Sequence, residues 1–371
     1  MANVKYLEDH LLFALGGTSL TMERGLSVRK AFLLTFAGLL VFILYLYFFV
    51  GFSSIIEVWE NVNLANYLFY YSLTVVALVL SVLFYSMTWH ELLKLLSVKI
   101  SLRNAFLYCW LASFIDLVIP LETVTGEITR IYLAARNSEG HTGRIVASVA
   151  SQRILSAIVV LAGLTISSAS LAFAYKVHQY VLSLLMVVQI GTVATILLIL
   201  FFYLRKEATE RFVDSLLKLA NFIFKGRLKQ ADLRTKAHHA LASFYQGIEV
   251  IRSRPRGLIK PLIFNFAAWF FHFIIYILVF FALDFNVSLD VSLIVYSVSV
   301  SVQYLPIALP VGLVEIVMAS LYNLFGIPPP VGGTATALIR IITFWFQIIV
   351  GFAIAQWIGI KTLTQRKVTE T

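Results

Sequence analysis

Asn104–Pro120, NAFLYCWLASFIDLVIP, runs directly into Leu121–Arg136, LETVTGEITRIYLAAR. The first part is apolar apart from Asp116; the second carries Glu122, Glu127, Arg130 and Arg136. At about 1.5 Å per residue the first part reaches roughly 25 Å, short of a bilayer core of roughly 30 Å. If it crossed, Arg130, Arg136 and Arg144 would lie outside, against the bias of Lys and Arg toward the cytoplasm. A re-entrant pair removes both difficulties: the chain enters from the cytoplasm, breaks at Pro120 and returns. Irregular backbone at that depth is tolerated only where protein or a watery cavity surrounds it.

The rest of the chain supplies the bilayer that this reading needs. Of 371 residues 60% are hydrophobic and 13% charged, and the mean hydropathy is +0.88. Soluble domains run at roughly half apolar and a quarter charged. A soluble enzyme, a nucleic-acid-binding domain and a disordered chain are therefore poor readings. The net charge of +10 fits basic cytoplasmic loops and implies no nucleic-acid partner. Cys109 is the only cysteine, so no internal disulfide and no zinc cluster can form. The first apolar run, Ala31–Phe52, is too long for a signal-peptide core and lacks a small-residue exit, so it reads as a retained anchor.

The expected fold is all-α: a polytopic membrane protein of about six full crossings plus two re-entrant pairs. Residues 1–30 read as an amphipathic surface segment. The first membrane half, 31–203, holds crossings at Ala31–Phe52, Tyr67–Trp89, Arg153–Tyr175 (starting a turn or two earlier) and Tyr180–Tyr203, with the re-entrant pair at 104–136. The segment 204–257 follows, and Arg205–Lys260 contains thirteen Lys or Arg. Its spacing predicts two amphipathic helices lying against the inner leaflet. The second half, 258–362, holds Leu258–Asp284 and Thr334–Ile360, and 363–371 is a tail. The charge bias places both termini in the cytoplasm of a multi-pass cell-membrane protein.

Val291–Leu305 followed by Pro306–Phe325 is the second re-entrant pair, with breaks at Pro306, Pro310 and Gly312, and it starts on the outside. The two broken segments match in order and spacing. Pro120, Gly126 and Glu127 precede Arg153 in the same order as Pro310, Gly312 and Glu315 precede Arg340, and the interval from glutamate to arginine agrees to one residue. One copy enters from inside and the other from outside, which is the trace of an inverted-topology repeat with a site near the midplane. Ions near the bilayer centre cost about 2.5–3.5 kcal/mol each on insertion scales. Asp116, Glu122, Glu127 and Glu315 must therefore pair with Arg130, Arg153 and Arg340 or line water. Either structural ion pairs or an anion-attracting cavity satisfies that demand. Arginine suits the second, since its planar fork can hold a phosphate by two hydrogen bonds.

At these residues the chain resembles the membrane region of lysylphosphatidylglycerol synthases and its stand-alone relatives. The first motif of that family is matched by Pro120, Gly126, Glu127 and Arg130, and its following Glu-Arg pair and Asp by Gln152, Arg153 and Ser156. The arginine is kept and both acids are absent. The second motif is met by Pro306, Pro310, Gly312, Glu315, Arg340 and Trp345, with fewer glycines than the pattern. The resemblance spans roughly residues 25–362 and implies a lipid-handling membrane domain. In the synthases this region moves the aminoacylated lipid across the bilayer. Eleven residues follow Ile360, so no soluble transferase domain is expected here. The two missing acids bear on any proton- or cation-linked step.

The leading expectation is a flippase for a phosphate-bearing lipid headgroup. Arg153, Arg340 and Arg130 would face the anion, with Glu127 and Glu315 orienting them. Membrane lipids are then the partners. A secondary transporter of a small anionic solute is the alternative. A third is a non-transporting partner of an envelope glycosyltransferase or lipid-modifying enzyme, docked through the basic segment. Enzyme activity is not expected and no cofactor is implied. His90-Glu91-Leu-Leu-Lys94 has Lys where a zinc-protease motif needs its second His, and no phosphate-binding loop or nucleophile elbow is present. His238 and His239 read as solvated, and His272 as a helix–helix hydrogen-bond partner.

Overall fold

The computed structural model describes Leu40, Ile43, Leu44, Tyr47 and residues 52–60, 62–118, 124–136, 138, 141–174, 179–223, 230–303 and 311–369. The segment 1–30, nearly all of the expected crossing Ala31–Phe52, and Pro120, Glu122, Pro306 and Pro310 lie outside these residues. Within them the chain is helical, without strands. The helices are α1 Phe52–Glu60, α2 Leu64–Leu95, α3 Leu102–Val118, α4 Val124–Arg136, α5 Thr142–Ala174, α6 Gln179–Leu204, α7 Lys206–Ile223 and α8 Gln230–Ser253. A 3₁₀ turn, Pro255–Leu258, leads into α9 Ile259–Ala282; α10 Leu289–Gln303, α11 Leu313–Leu324 and α12 Pro329–Arg340 follow. A π-helical turn, Ile341–Phe346, joins α12 to α13 Gln347–Thr369.

Four stretches among the described residues are long and apolar enough to cross a bilayer: Leu64–Leu95, Thr142–Ser170, Pro255–Ala282 and Pro329–Ile358. The expected crossing Tyr180–Tyr203 is the single helix α6. Its surface leaves Met186, Val187, Ile190, Leu197 and Leu198 largely uncovered. Such a band would be a liability in water and is the normal surface of a helix in lipid. The protein is an all-α polytopic membrane protein.

Three boundaries differ from the sequence reading. The acidic connector after the first crossing folds as α1. The expected loop His90–Arg103 is helical as far as Leu95, because Leu92 and Leu93 carry the buried face of α2 through one more turn. α5 begins at Thr142, about three turns before Arg153, since Ile145, Ala147 and Ser148 belong to the same buried stripe.

The two halves are antiparallel copies of one arrangement. α2 and α9 lie side by side along their lengths. At one end the Asp284 carboxylate accepts from the Asn63 N–H and the Asn66 amide, each at 2.9 Å. Midway, Ser81 Oγ donates to the Ala268 carbonyl at 2.8 Å. At the other end Lys260 pairs with Glu91 at 3.1 Å. The start of each helix therefore faces the end of the other. α3 and α4 follow α2 as α10 and α11 follow α9, and each short pair packs as a hairpin. The cross-contacts are reciprocal: α10 packs on α5, and α3 packs on α13, which continues α12. Corresponding helices that run antiparallel define a pseudo-two-fold axis perpendicular to the crossings, the geometry of an inverted repeat.

None of the hairpin helices is long enough to cross. α3 has 17 residues and α4 has 13, about 26 and 20 Å at the usual rise. Near the start of α3 the Arg103 guanidinium covers the ring of Trp357, midway along α13, at 5.0 Å. Midway along α3 Trp110 Nε1 donates to the carbonyl of Gln347, at the start of α13, at 3.4 Å.

The basic segment departs from expectation in one respect. α8 buries Leu241, Ile248 and Ile251 against α5 and the end of α2, so its apolar face is covered by protein and not by the leaflet. His238, expected in solvent, lies 3.2 Å from Asp214 and ties α8 to α7.

Candidate functional site: a charged cavity between the repeats

Each hairpin brings a glutamate under an arginine of the following long helix. In the second half Gly312 sits at φ +98°, a conformation that disfavours any side chain. That turn aims its N–H at the helix start, where it donates to Glu315 Oε2 at 2.6 Å. The other oxygen, Oε1, accepts from Arg340 Nε at 2.6 Å. Both side chains are almost fully buried, at 5% and 3% exposure. One carboxylate thus caps α11 and holds the arginine of α12. The Arg340 guanidinium also lies 4.7 Å from the Phe344 ring centre, inside the π-helical turn that begins at the next residue. Single π turns inside α-helices occur often at functional sites.

In the first half the same tasks are divided. The Gly126 N–H donates to Asp116 Oδ1 at 2.7 Å, so the cap comes from α3. A side chain at Gly126 would collide with the Ala112 carbonyl oxygen and the Asp116 carboxylate, so glycine is required for α3 and α4 to approach. Glu127 is then left for two arginines. Oε1 pairs with Arg153 Nη2 at 2.6 Å, and Oε2 pairs with Arg130.

Arg130 and Arg153 differ in their surroundings. Arg130 is 1% exposed. Besides Glu127 it donates to Gln152 Oε1 at 2.7 Å and lies 4.9 Å from the Trp89 ring centre and 5.7 Å from that of Tyr85. It is a fastener of α4 to α2 and α5. Gln152 completes that set, donating through Nε2 to the Tyr85 carbonyl at 2.8 Å. Its amide both accepts and donates, which a carboxylate cannot do. Arg153 keeps 24% of its side chain exposed. Ser156, one turn on, donates to Asn265 Oδ1 at 3.2 Å.

These groups line one cavity of about 340 Å³, walled by α2, α3, α4, α5, α9, α10, α11, α12 and the start of α13. Arg153, Arg340, Arg130, Glu127 and Asp116 all reach it; Glu315 stands behind Arg340. Arg153 and Arg340 each stand eleven residues from the first residue of their helices. That is about 17 Å at the usual rise, near half the thickness of a bilayer core. The opposite wall is aromatic and polar, with Trp269, His272, Tyr296 and Asn265. His272, expected to serve helix packing, faces this space instead, its ring 5.7 Å from Tyr296. The Asn265 amide nitrogen is buried without a hydrogen-bond partner among the described residues. The sequence reading missed this wall. Asn265 and Gln152, polar amides within apolar runs, were its available signal. Among the described residues no three His, Cys, Asp or Glu side chains converge as a metal site.

Guanidinium donors from both repeats, held by glutamates at mid-depth, define the class: an inverted-repeat membrane protein with a charged cavity between broken helices. The chain belongs to the family of the lysylphosphatidylglycerol synthase TM region, whose model matches residues 35–351. It is similar to a UPF0104 membrane protein of Pyrococcus horikoshii, 22% identical over 296 residues, 78% of this chain and 84% of that protein. It is also similar to a UPF0104 membrane protein of Methanothermobacter thermautotrophicus, 24% identical over 279 residues, 74% of this chain and 81% of that protein. No solved structure matches the chain.

Proposed function

We propose that the protein is a lipid translocase that carries a phosphate-bearing headgroup through the cavity while the acyl chains stay in the bilayer. One observation carries the reading: Arg153 and Arg340, contributed by opposite repeats, line the same space at matching depth. An anionic group there meets donors from both halves, so rocking one repeat against the other would pass it from one set to the other. The glutamates keep both guanidinium groups oriented and offset their burial. Membership of a family described by a lipid synthase's membrane region supports lipid over a free solute. In this reading the protein does no covalent chemistry and needs no cofactor. It lies in the cell membrane with both termini in the cytoplasm, as the basic segments around α7 and α8 favour.

The test is flux in reconstituted vesicles containing fluorescent phosphatidylglycerol, phosphatidylethanolamine or a polyprenyl phosphate, read by quenching from outside. Protein-dependent movement of an anionic lipid is expected, reduced at least tenfold by Arg153→Ala. Movement of free phosphate across the vesicle wall with every lipid static would replace this reading by a transporter of small anions.

A further inference from the structure

We infer that Asp116 is a proton-binding site that sets the anion affinity of the cavity, so that anion and proton enter it together. The inference rests on the cavity receiving an anion, and deepens that reading by naming the coupled ion. Among the described residues three arginines, Arg130, Arg153 and Arg340, stand against three carboxylates, Asp116, Glu127 and Glu315. Glu127 and Glu315 are engaged in ion pairs. Asp116 touches no arginine; its partner is the Gly126 N–H, taken by Oδ1. A carboxylate held by a neutral donor can take up a proton without breaking an ion pair. Asp116 is one of the residues lining the cavity, and its Oδ2 packs against Gly126, where no side chain fits.

The groups facing Asp116 make the charge change effective. Among the described residues they are Glu127 and Arg130 on α4, Arg153 on α5, Cys109 on its own helix, and Tyr85, His272 and Arg340 farther around the wall. Protonation of Asp116 removes one negative charge from the cavity wall, and so raises by one unit the positive charge that an anion meets there. By reciprocity of linked binding, an anion that favours the protonated cavity raises the proton affinity of Asp116 by the same factor. Release of the proton on the far side would then loosen the anion there. The acids missing at Gln152 and Ser156 are therefore not needed for a proton-linked step.

Asp116→Asn is the informative variant, because its Oδ1 can still accept from Gly126 while its charge is fixed at neutral. Two probes are needed, inorganic phosphate binding to the purified protein and fluorescent phosphatidylglycerol flux in vesicles. Phosphate itself titrates near neutral pH, so the variant is the reference: from acidic to alkaline pH, phosphate affinity should fall at least fivefold more in wild type than in Asp116→Asn. Infrared difference spectra on adding phosphate should show a protonated-carboxyl band in wild type that the variant lacks. The same pH dependence in wild type and Asp116→Asn, or no carboxyl band in wild type, overturns the inference even where lipid flux is present. Phosphate-linked protonation with no lipid flux upholds the inference and overturns the lipid reading alone.

Discussion

Arg153 and Arg340 are counterparts under the pseudo-two-fold axis: each stands eleven residues along its helix and each is held at 2.6 Å by a glutamate of the short helix before it. They are not equivalent in burial. Arg340 is enclosed with Glu315, whereas Arg153 keeps a quarter of its side chain open.

That difference separates the two alanine variants. Arg340→Ala leaves Glu315 buried and unpaired, a loss of about 3–5 kcal/mol for pairs of this kind. It should lower the unfolding temperature in detergent as well as abolish flux. Arg153→Ala leaves Glu127 with Arg130, and should abolish flux with little change in unfolding temperature. Arg153→Lys should recover part of the flux, since a single ammonium cannot reproduce the guanidinium fork. Equal thermal stability of the two alanine variants would show that the Glu315–Arg340 pair does not hold the second hairpin.

The glycines should fail for different reasons. Gly126→Ala forces a methyl group into the Ala112 carbonyl and Asp116, and overpacking of this kind costs about 1–3 kcal/mol. Gly312→Ala strains a backbone at φ +98°, at about 1–2 kcal/mol. Thermal unfolding of each variant, with Gly191→Ala as control since an added β-carbon there meets no described atom within 4 Å, measures both. Wild-type melting in Gly126→Ala would mean that α3 and α4 can separate.

The inverted repeat makes a topological prediction. In a Cys109→Ser background, Ser138→Cys should react only with reagents that reach the cytoplasm, and Asn323→Cys with impermeant reagents outside. Serine suits Cys109 because Arg130 Nη1 lies 3.7 Å from its sulfur and an acceptor is retained. Labelling of both cysteines from one side would contradict the antiparallel assignment of the hairpins.

Asp284 gives a pH dependence outside the membrane. The Asn63 N–H and the Asn66 amide hold its carboxyl below the usual carboxylate range. A depressed acid stabilises the fold above its unfolded pKa, and the contribution disappears as pH falls through the folded pKa. The unfolding temperature should therefore drop on acidification below about pH 4, and part of that drop should be absent in Asp284→Asn. Identical acid profiles would remove Asp284 from the α2–α9 contact.

The sequence alone determined the helical membrane class, the broken segments and the spacing from glutamate to arginine. Hydropathy over twenty residues and the cost of charge in lipid act locally along the chain. Glu127 with Arg153 and Glu315 with Arg340 could thus be read from order and interval. Only the tertiary structure decided that Arg130 is a fastener, that Gln152 serves it better than an acid would, and that Asp116 holds the start of α4. It also brought His272 and Asn265 to the cavity and covered α8 with protein. Those outcomes depend on which faces of separate helices meet. Hydropathy carries no phase for a helix that is apolar all round, so its polar side chains can be placed only once the packing of its neighbours is known.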